Sequence, residues 1–292
     1  SGGVTSKPKQ VVAPKDDVAL AAAIRATTDT IRAPGSGHSF TPVCASDGVI
    51  VDLAAFTGLK SVNKEKMTAT FGAATPLWAM SPALLKEGLG LKNMGDIDRQ
   101  TLGGVVGTGT HGTGRTLGSF SAAVAGFKIV AANGDLLNCT PEENSDVFAA
   151  GRCAIGTLGV MTEITMHVRP AYRLVEKNFL LPPDELFAQL DNLVNANRHF
   201  EFFWFPYADV AICKSLNETT EVAPEPRSAE QMYERGEKGS PEEKTFAAIN
   251  TILPYAPFLL KQAHRLFSQR MSGAPKVRWS GELFPSPRTV RF

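Results

Sequence analysis

Through the first half of the chain the spacing of apolar positions switches repeatedly between two residues and three to four, the signature of strands interleaved with helices. Val11-Val12-Ala13-Pro14 predicts a strand. Asp16 and Asp17 then stand as cap candidates before Val18–Ala26, whose apolar residues recur at helical spacing, and Thr30–Pro34 begins a second strand, so the opening is a small β-α-β unit. Gly48–Leu53 reads as another strand, and Leu59–Thr75 as a β-pair. A helix begins near Thr75-Pro76 and runs through Trp78–Leu89, with proline suited to the first turn and Gly88 or Gly90 to the end. Phe120–Leu137 predicts two strands joined by Asn133-Gly134, a strong hairpin signal. Asp146–Ala150 is a short helix, and Arg152–Val168 a glycine-punctuated turn feeding a strand of alternating pattern.

After Pro170 the character changes. Asn178–Asn197 begins as a strand and continues as an amphipathic helix, and His199–Asn217 supplies two aromatic-rich strands broken at Pro206. The run Phe202-Phe203-Trp204-Phe205 is read as packed strand rather than ligand shelf. Glu218 to Lys244 turns polar and charged, which fits an exposed loop or insertion. The most apolar window, Phe246 to Leu260, is too short to span a bilayer, carries Pro254 and Pro257, and reads as a buried or interfacial helical region.

Composition narrows the function classes. A chain of 292 residues with 43% hydrophobic and 20% charged content can hold two domains with real cores. Thirty basic against twenty-nine acidic residues leave a formal charge of +1, so nothing in the electrostatics argues for a nucleic-acid partner. Membrane association is left undecided. Cys44, Cys139, Cys153 and Cys213 lie far apart without a C-x-x-C pair, which disfavours a zinc site and points to free thiols. With no signal peptide at Ser1-Gly2-Gly3, a cytoplasmic location is favoured over secretion.

The chemistry lies in two glycine-rich stretches. Gly103–Gly114 is half glycine, with Thr108, Thr110, Thr113 and a single His111; such backbone can approach a phosphate or a flat ring closely, while Val105 and Val106 anchor it. Pro34–Ser39 places two glycines directly after a strand, with His38 accessible at the tip. An imidazole so held is a base, a weak candidate for a metal ligand, or a nucleophile toward a flavin methyl group. A dinucleotide-binding turn of an NAD(P)-dependent dehydrogenase, with Asp52 as ribose acid, stays as an alternative, although Phe40 replaces the third glycine and Pro42 follows at once.

Taken together, GSGHSF at 35 to 40, NMGDIDRQTLGGVVGTGTHGTG at 93 to 114 and AIGTLGVMTEIT at 154 to 165 resemble the FAD-binding domain of the vanillyl-alcohol-oxidase superfamily. Within it the chain is similar to the sugar-1,4-lactone oxidoreductases of the L-gulono- and D-arabinono-lactone type, with alditol oxidase a near relative. The resemblance implies an α+β fold: a two-part FAD-binding domain of the PCMH type over residues 1–170, then an α+β cap, or substrate, domain over 171–292 whose C-terminal part is absent from the chain. It implies FAD, with Gly35, Ser36, Gly37 and Ser39 along the pyrophosphate and His38 bonded covalently to the flavin 8α carbon. It further implies Asp96, Thr101, Gly104, Thr108, Gly109, Thr110 and His111 along the diphosphate and ring, and backbone at Gly159 and Met161. Asp96 stands where many relatives carry serine.

The activity so implied is oxidation of a CH–OH group of a sugar lactone, with a polyol as the alternative substrate. Relatives continue past the strand matching Arg288–Phe292 into a segment that lines the substrate pocket. The catalytic residues are therefore expected beyond Phe292, supplied by a longer chain or by a second polypeptide, and a flavin-binding subunit without catalysis is the reading from a different class.

Overall fold

The structure is a computed structural model, and it describes residues 5–205, 208–238, 244–245, 247–248, 251 and 255–284. Strand β1 (Gln10–Val12), helix α1 (Asp17–Arg25), β2 (Ile31–Arg32) and β3 (Val49–Val51) form the expected opening unit. Both outer strands run parallel to β3, in the order β1-β3-β2. Asp16 caps α1, accepting from the Ala19 N–H at 2.7 Å. The helix turns Leu20, Ala21 and Ile24 onto Val51 and Phe56, and onto Val130 and Val160 of the next sheet.

That second sheet contains β4 (Leu59–Asn63), β5 (Thr68–Gly72), β6 (Leu89–Leu91), β7 (Val124–Val130), β8 (Leu136–Cys139) and β9 (Val160–Pro170). Its path is β4-β5-β9-β7-β8, with β6 pairing the far end of β9. The alternation read in the sequence is realised on β9, where Val160, Thr162, Ile164, Met166 and Val168 are buried and the residues between them half-buried. Helix α2 (Leu77–Lys86) is capped by Glu87 and followed by Gly88, whose φ of +74° turns the chain out of the helix. The Asn133-Gly134 hairpin joins β7 and β8 as expected, and α4 (Ser145–Gly151) follows.

The first difference from the sequence reading lies inside the glycine stretch. Residues Leu102–Gly107 are not loop but a short helix, α3. Glycine costs a helix roughly 1 kcal/mol per residue relative to alanine, so propensity opposes it. What outweighs that cost is Leu102, Val105 and Val106, spaced i, i+3, i+4 and each 0% exposed, in the same core as Phe71, Leu77 and Ile164.

Beyond Pro170 a third sheet begins, antiparallel and ordered β11-β12-β10-β13, from β10 (Arg173–Leu181), β11 (His199–Phe203), β12 (Ala211–Thr219) and β13 (Lys276–Trp279). Helix α5 (Pro183–Ala196) covers its outer face through Leu186, against Ala211, Cys213, Phe200 and Phe202. Phe200 and Phe202 are thus packed, as expected, whereas Phe203 and Trp204 are exposed. The polar stretch after Glu218 is not all loop: it holds α6 (Ala229–Lys238), seated on α2 by the fully buried Met232 and by Tyr233 against Trp78. Of the two readings of the apolar window of 246–260, buried or interfacial, the described residues go against the buried one. Residues 246, 249, 250 and 252–254 lie outside the described ones, and Tyr255 and Phe258 are exposed rather than buried. Helices α7 (Leu260–Met271) and α8 (Ser280–Leu283) complete this lobe. Among the described residues no helix is long and apolar enough to cross a membrane.

A charged clamp joins the lobes. Arg169 at the end of β9 donates from Nη1 and Nη2 to the two carboxylate oxygens of Glu218 on β12, at 2.6 and 2.9 Å, and Arg198 meets the same carboxylate at 3.1 Å. Both guanidiniums lie over the Tyr172 ring, whose hydroxyl donates to the Leu91 carbonyl at 3.1 Å.

Candidate functional site

Between the parallel sheet and the second sheet lies a cavity of about 350 Å³, open to solvent. Its walls come from the end of β2, the residues after β3, and the glycine turn before β9; its floor is α3. Since Leu102, Val105 and Val106 point into the core, the helix turns Gly103, Gly104 and Gly107 to the cavity and presents bare backbone there. The helix stops at Thr108, whose hydroxyl donates to the Gly104 carbonyl at 2.9 Å, and Gly109 leaves it with a φ of +67°. A Cβ on Gly103 would meet the Ala73 carbonyl at 3.2 Å, so α3 lies directly on the strand behind it. The glycine composition serves packing on one side and an open floor on the other.

The expected site residues divide into three groups. Gly35, Ser36, Thr101, Gly104, Thr108, Gly159 and Met161 line the cavity together, joined by Gly103 and Gly107 of the same glycine stretch, by Gly156 of the turn before β9, and by Asp52, which the sequence offered only as the ribose acid of a dinucleotide turn. Gly37, His38 and Ser39 continue the first loop outside it; the loop is tied by the Ser36 hydroxyl, which donates to the Arg99 carbonyl at 2.6 Å. His38 is half-buried, and burial together with the positive charge of Arg99 lowers its pKa, which favours the neutral imidazole. Gly109, Thr110, His111 and Asp96 do not line the cavity. The backbone of Thr110 is spent on Val105 and Phe120, and the His111 ring lies 3.0 Å from the Gly112 carbonyl.

Asp96 lies instead at the inner face of the third sheet. There Lys214 and Glu201 are direct ladder partners whose ion pair, 3.1 Å long, is 12% and 18% exposed. Burial works against the charge of Lys214, but Glu201, Asp96 and Glu176 outweigh it and raise its pKa. Burial, and then Glu201, push Asp96 up to about 6. The sequence carried a signal for this pair: a single charge in each of two otherwise apolar runs, HFEFF and VAICKS. Among the described residues no group of His, Cys, Asp and Glu could hold a metal ion, and all four cysteines are free.

His199 on the same face connects the sheet to the glycine stretch. It is 1% exposed, with Nδ1 at 3.1 Å from the Thr113 carbonyl and Nε2 without a hydrogen-bond partner among the described residues. Burial, then Arg198, lowers its pKa to about 4 from an ordinary 6.5. The unfolded chain therefore takes up a proton that the folded one refuses between these values, and stability falls as pH drops through that window, by about 2–3 kcal/mol at pH 4.5. In His199→Gln the urea midpoint should lose less between pH 7 and pH 4.5 than in the wild type. Equal losses would show that the imidazole is not the source.

Residues 8–140 match the family described as FAD binding domain, and residues 164–292 the family described as D-arabinono-1,4-lactone oxidase. The chain is 30% identical over 289 residues to an L-gulono-1,4-lactone dehydrogenase of Mycobacterium tuberculosis, covering 98% of this chain and 66% of that protein. It is 32% identical over 203 residues to the L-gulonolactone oxidase of Mus musculus, covering 70% and 46%. Among solved structures, cholesterol oxidase from B. sterolicum superposes with a TM-score of 0.78 at 21% identity, over 96% of this chain and 59% of that one, a likeness of fold. The class is thereby defined: an FAD-binding α+β flavoprotein fold of the vanillyl-alcohol-oxidase type carrying a cap. Within that class the chain belongs to the sugar-1,4-lactone oxidase family, and it spans about two thirds of the length of the first relative named.

Proposed function

We propose that this protein is an FAD-dependent oxidoreductase that oxidises a CH–OH group of a sugar-1,4-lactone, with residues 1–170 as the FAD-binding domain and 171–292 as the substrate cap. The observation that carries the reading is the side-chain-free face of Gly103, Gly104 and Gly107 at the floor of a cavity that also takes Gly35, Ser36, Gly156 and Gly159. A large planar ring linked to a diphosphate needs close approach to backbone along much of its length, and these positions allow it. Gly35, Ser36, Thr101, Gly104 and Thr108 would hold the diphosphate, and Gly159 and Met161 would meet the cofactor with backbone from the opposite wall. Gly37, Ser39, Gly109, Thr110 and His111, set beyond the cavity, are assigned to the edges of the same cofactor. FAD supplies the two-electron acceptor for the substrate's C–H hydrogen. The protein orients the substrate carbon and removes the hydroxyl proton.

His38 is assigned the covalent link to the flavin 8α carbon. As a neutral imidazole it offers a nitrogen lone pair, and Gly37, with a φ of +73°, lets the loop turn there. The new N–C bond would replace a C–H bond of the flavin methyl group and the N–H bond of the imidazole, both hydrogens leaving as protons, and the two electrons would pass through the flavin to dioxygen or another external acceptor.

The decisive experiment is anaerobic mixing of the flavin-loaded protein with L-gulono-1,4-lactone, D-arabinono-1,4-lactone or xylitol. Bleaching of the flavin band by a lactone is the expected result. Bleaching by xylitol alone would move the substrate to the polyols, and no bleaching by any lactone or polyol would overturn the reading.

A further inference from the structure

Asp96 sits where the two lobes meet, and its carboxylate has no hydrogen-bond partner among the described residues. Its loop is firmly backed. A Cβ on Gly95 would meet the His111 carbonyl at 3.1 Å, and a Cβ on Gly112 would collide with the Met94 carbonyl. Asn93 adds a hydrogen bond from Nδ2 to the Thr113 carbonyl at 3.2 Å. The other end of the segment is fixed as well, because the Arg99 carbonyl accepts from Ser36 of the first loop. The backbone is therefore fixed on either side of Asp96, at Gly95 and at Arg99, and its half-buried carboxylate lies within reach of the charges of Glu201 and Lys214 on the cap sheet.

On the facing sheet the polar groups largely satisfy one another. Lys214 is engaged by Glu201, its ladder partner, and Glu176 accepts from Asn178 at 2.8 Å, Asn178 being the residue opposite Lys214 on β10. Asp96 feels the charges of Glu201 and Lys214 but takes a hydrogen from neither. A carboxylate half withdrawn from water and lacking a donor is costly, and the group that would complete it is a hydroxyl donating into it.

We propose that Asp96 accepts the proton of the substrate hydroxyl, and that Lys214 is a positioning residue whose charge keeps that carboxylate anionic. The assignment rests on the functional reading above. In the step it describes, the substrate O–H bond breaks, leaving its electron pair on oxygen and its proton on Asp96. The C–O bond becomes C=O as the C–H hydrogen leaves with its pair to the bound FAD, the oxidant of that reading. Asp96 then returns the proton to solvent at the boundary between the lobes. The charged groups that face it are Glu201 and Lys214, with Glu176 beside Lys214 and His111 behind the loop. Burial and Glu201 raise its pKa to about 6, so the base is present above that pH and lost below it.

The test is stopped-flow reduction of the flavin in the full-length protein by L-gulono-1,4-lactone between about pH 5 and pH 8. In the wild type the limiting rate rises with pH, with a midpoint near 6. Asp96→Asn, and Asp96→Ser as a second variant, lose at least about a hundredfold in limiting rate and lose the midpoint, with little change in KM. Lys214→Met moves the midpoint upward and Lys214→Arg restores it, whereas a lysine of purely structural importance would lower the rate without moving the midpoint. A readout independent of turnover is the pH-difference infrared spectrum of the resting protein, in which a carboxyl band titrating near 6 disappears in Asp96→Asn. Wild-type rate and midpoint in Asp96→Asn overturn the proposal and leave the functional reading standing. Failure of every lactone to reduce the wild-type flavin overturns the reading itself.

Discussion

Replacing Gly104 with valine should leave a folded protein that no longer retains FAD. The position lies within α3, where a Cβ would meet only the Thr101 hydroxyl, at 3.1 Å. A hydroxyl can rotate away, and alanine is the better helix former by roughly 1 kcal/mol, so Gly104→Ala should be no less stable than the wild type. Valine adds two methyl groups on the face shared with Gly103 and Gly107, and these fill the floor of the cavity rather than the core. The expected result is a urea midpoint close to wild type with the ratio of flavin to protein absorbance near zero. Gly159→Ala is the contrasting case: its φ is +140° and a Cβ would run into the Val130 carbonyl, so loss of FAD there should accompany loss of fold. Full flavin content in folded Gly104→Val would remove α3 from the cofactor site.

The contrast between those two glycines also marks what could be read along the chain and what could not. Local signals were sufficient for α1, where Asp16 caps a helical run, for the β7–β8 hairpin at Asn133-Gly134, and for β9, whose alternation needs only a sheet with one buried face. Helix α3 was hidden because its glycines dominate any propensity sum. The spacing of Leu102, Val105 and Val106 was the surviving clue, and it becomes decisive only once Phe71 and Ile164 offer a core to bury it in. Helix α6 escaped for a related reason, since its segment is mostly polar and is held by tertiary contacts: buried Met232, Tyr233 against Trp78 and under Arg99, and Arg235 donating to the Glu282 carbonyl.

At the candidate site, glycines that line the cavity were legible because close approach to backbone restricts residue type strongly. Asp52, a candidate only for the ribose acid of a dinucleotide turn, reaches the cavity from the residues after β3, a neighbourhood that exists only in three dimensions. The Lys214–Glu201 pair is a tertiary feature of the same kind. Each charge looked like an interruption of an apolar strand, and only the register of β11 against β12 brings the two together opposite Asp96.

Converting His38 to alanine should change where the flavin goes when the protein is denatured, while leaving most of its native binding intact. The cavity floor and the Ser36–Arg99 hydrogen bond that ties the first loop do not involve the imidazole, so Gly104 and its neighbours should still hold FAD in His38→Ala. What the substitution removes is the neutral nitrogen nucleophile, poised by burial and by Arg99 at a loop that Gly37 allows to turn. Acid-precipitated wild-type protein should therefore give a yellow pellet and a fluorescent band on a denaturing gel, and His38→Ala a colourless pellet with the flavin in the supernatant. Reduction by substrate should be slower in the variant, because loss of the bond lowers the redox potential of the flavin. If the wild type itself releases all its flavin into acid, the covalent assignment fails, and the same cavity then holds FAD by non-covalent contacts alone.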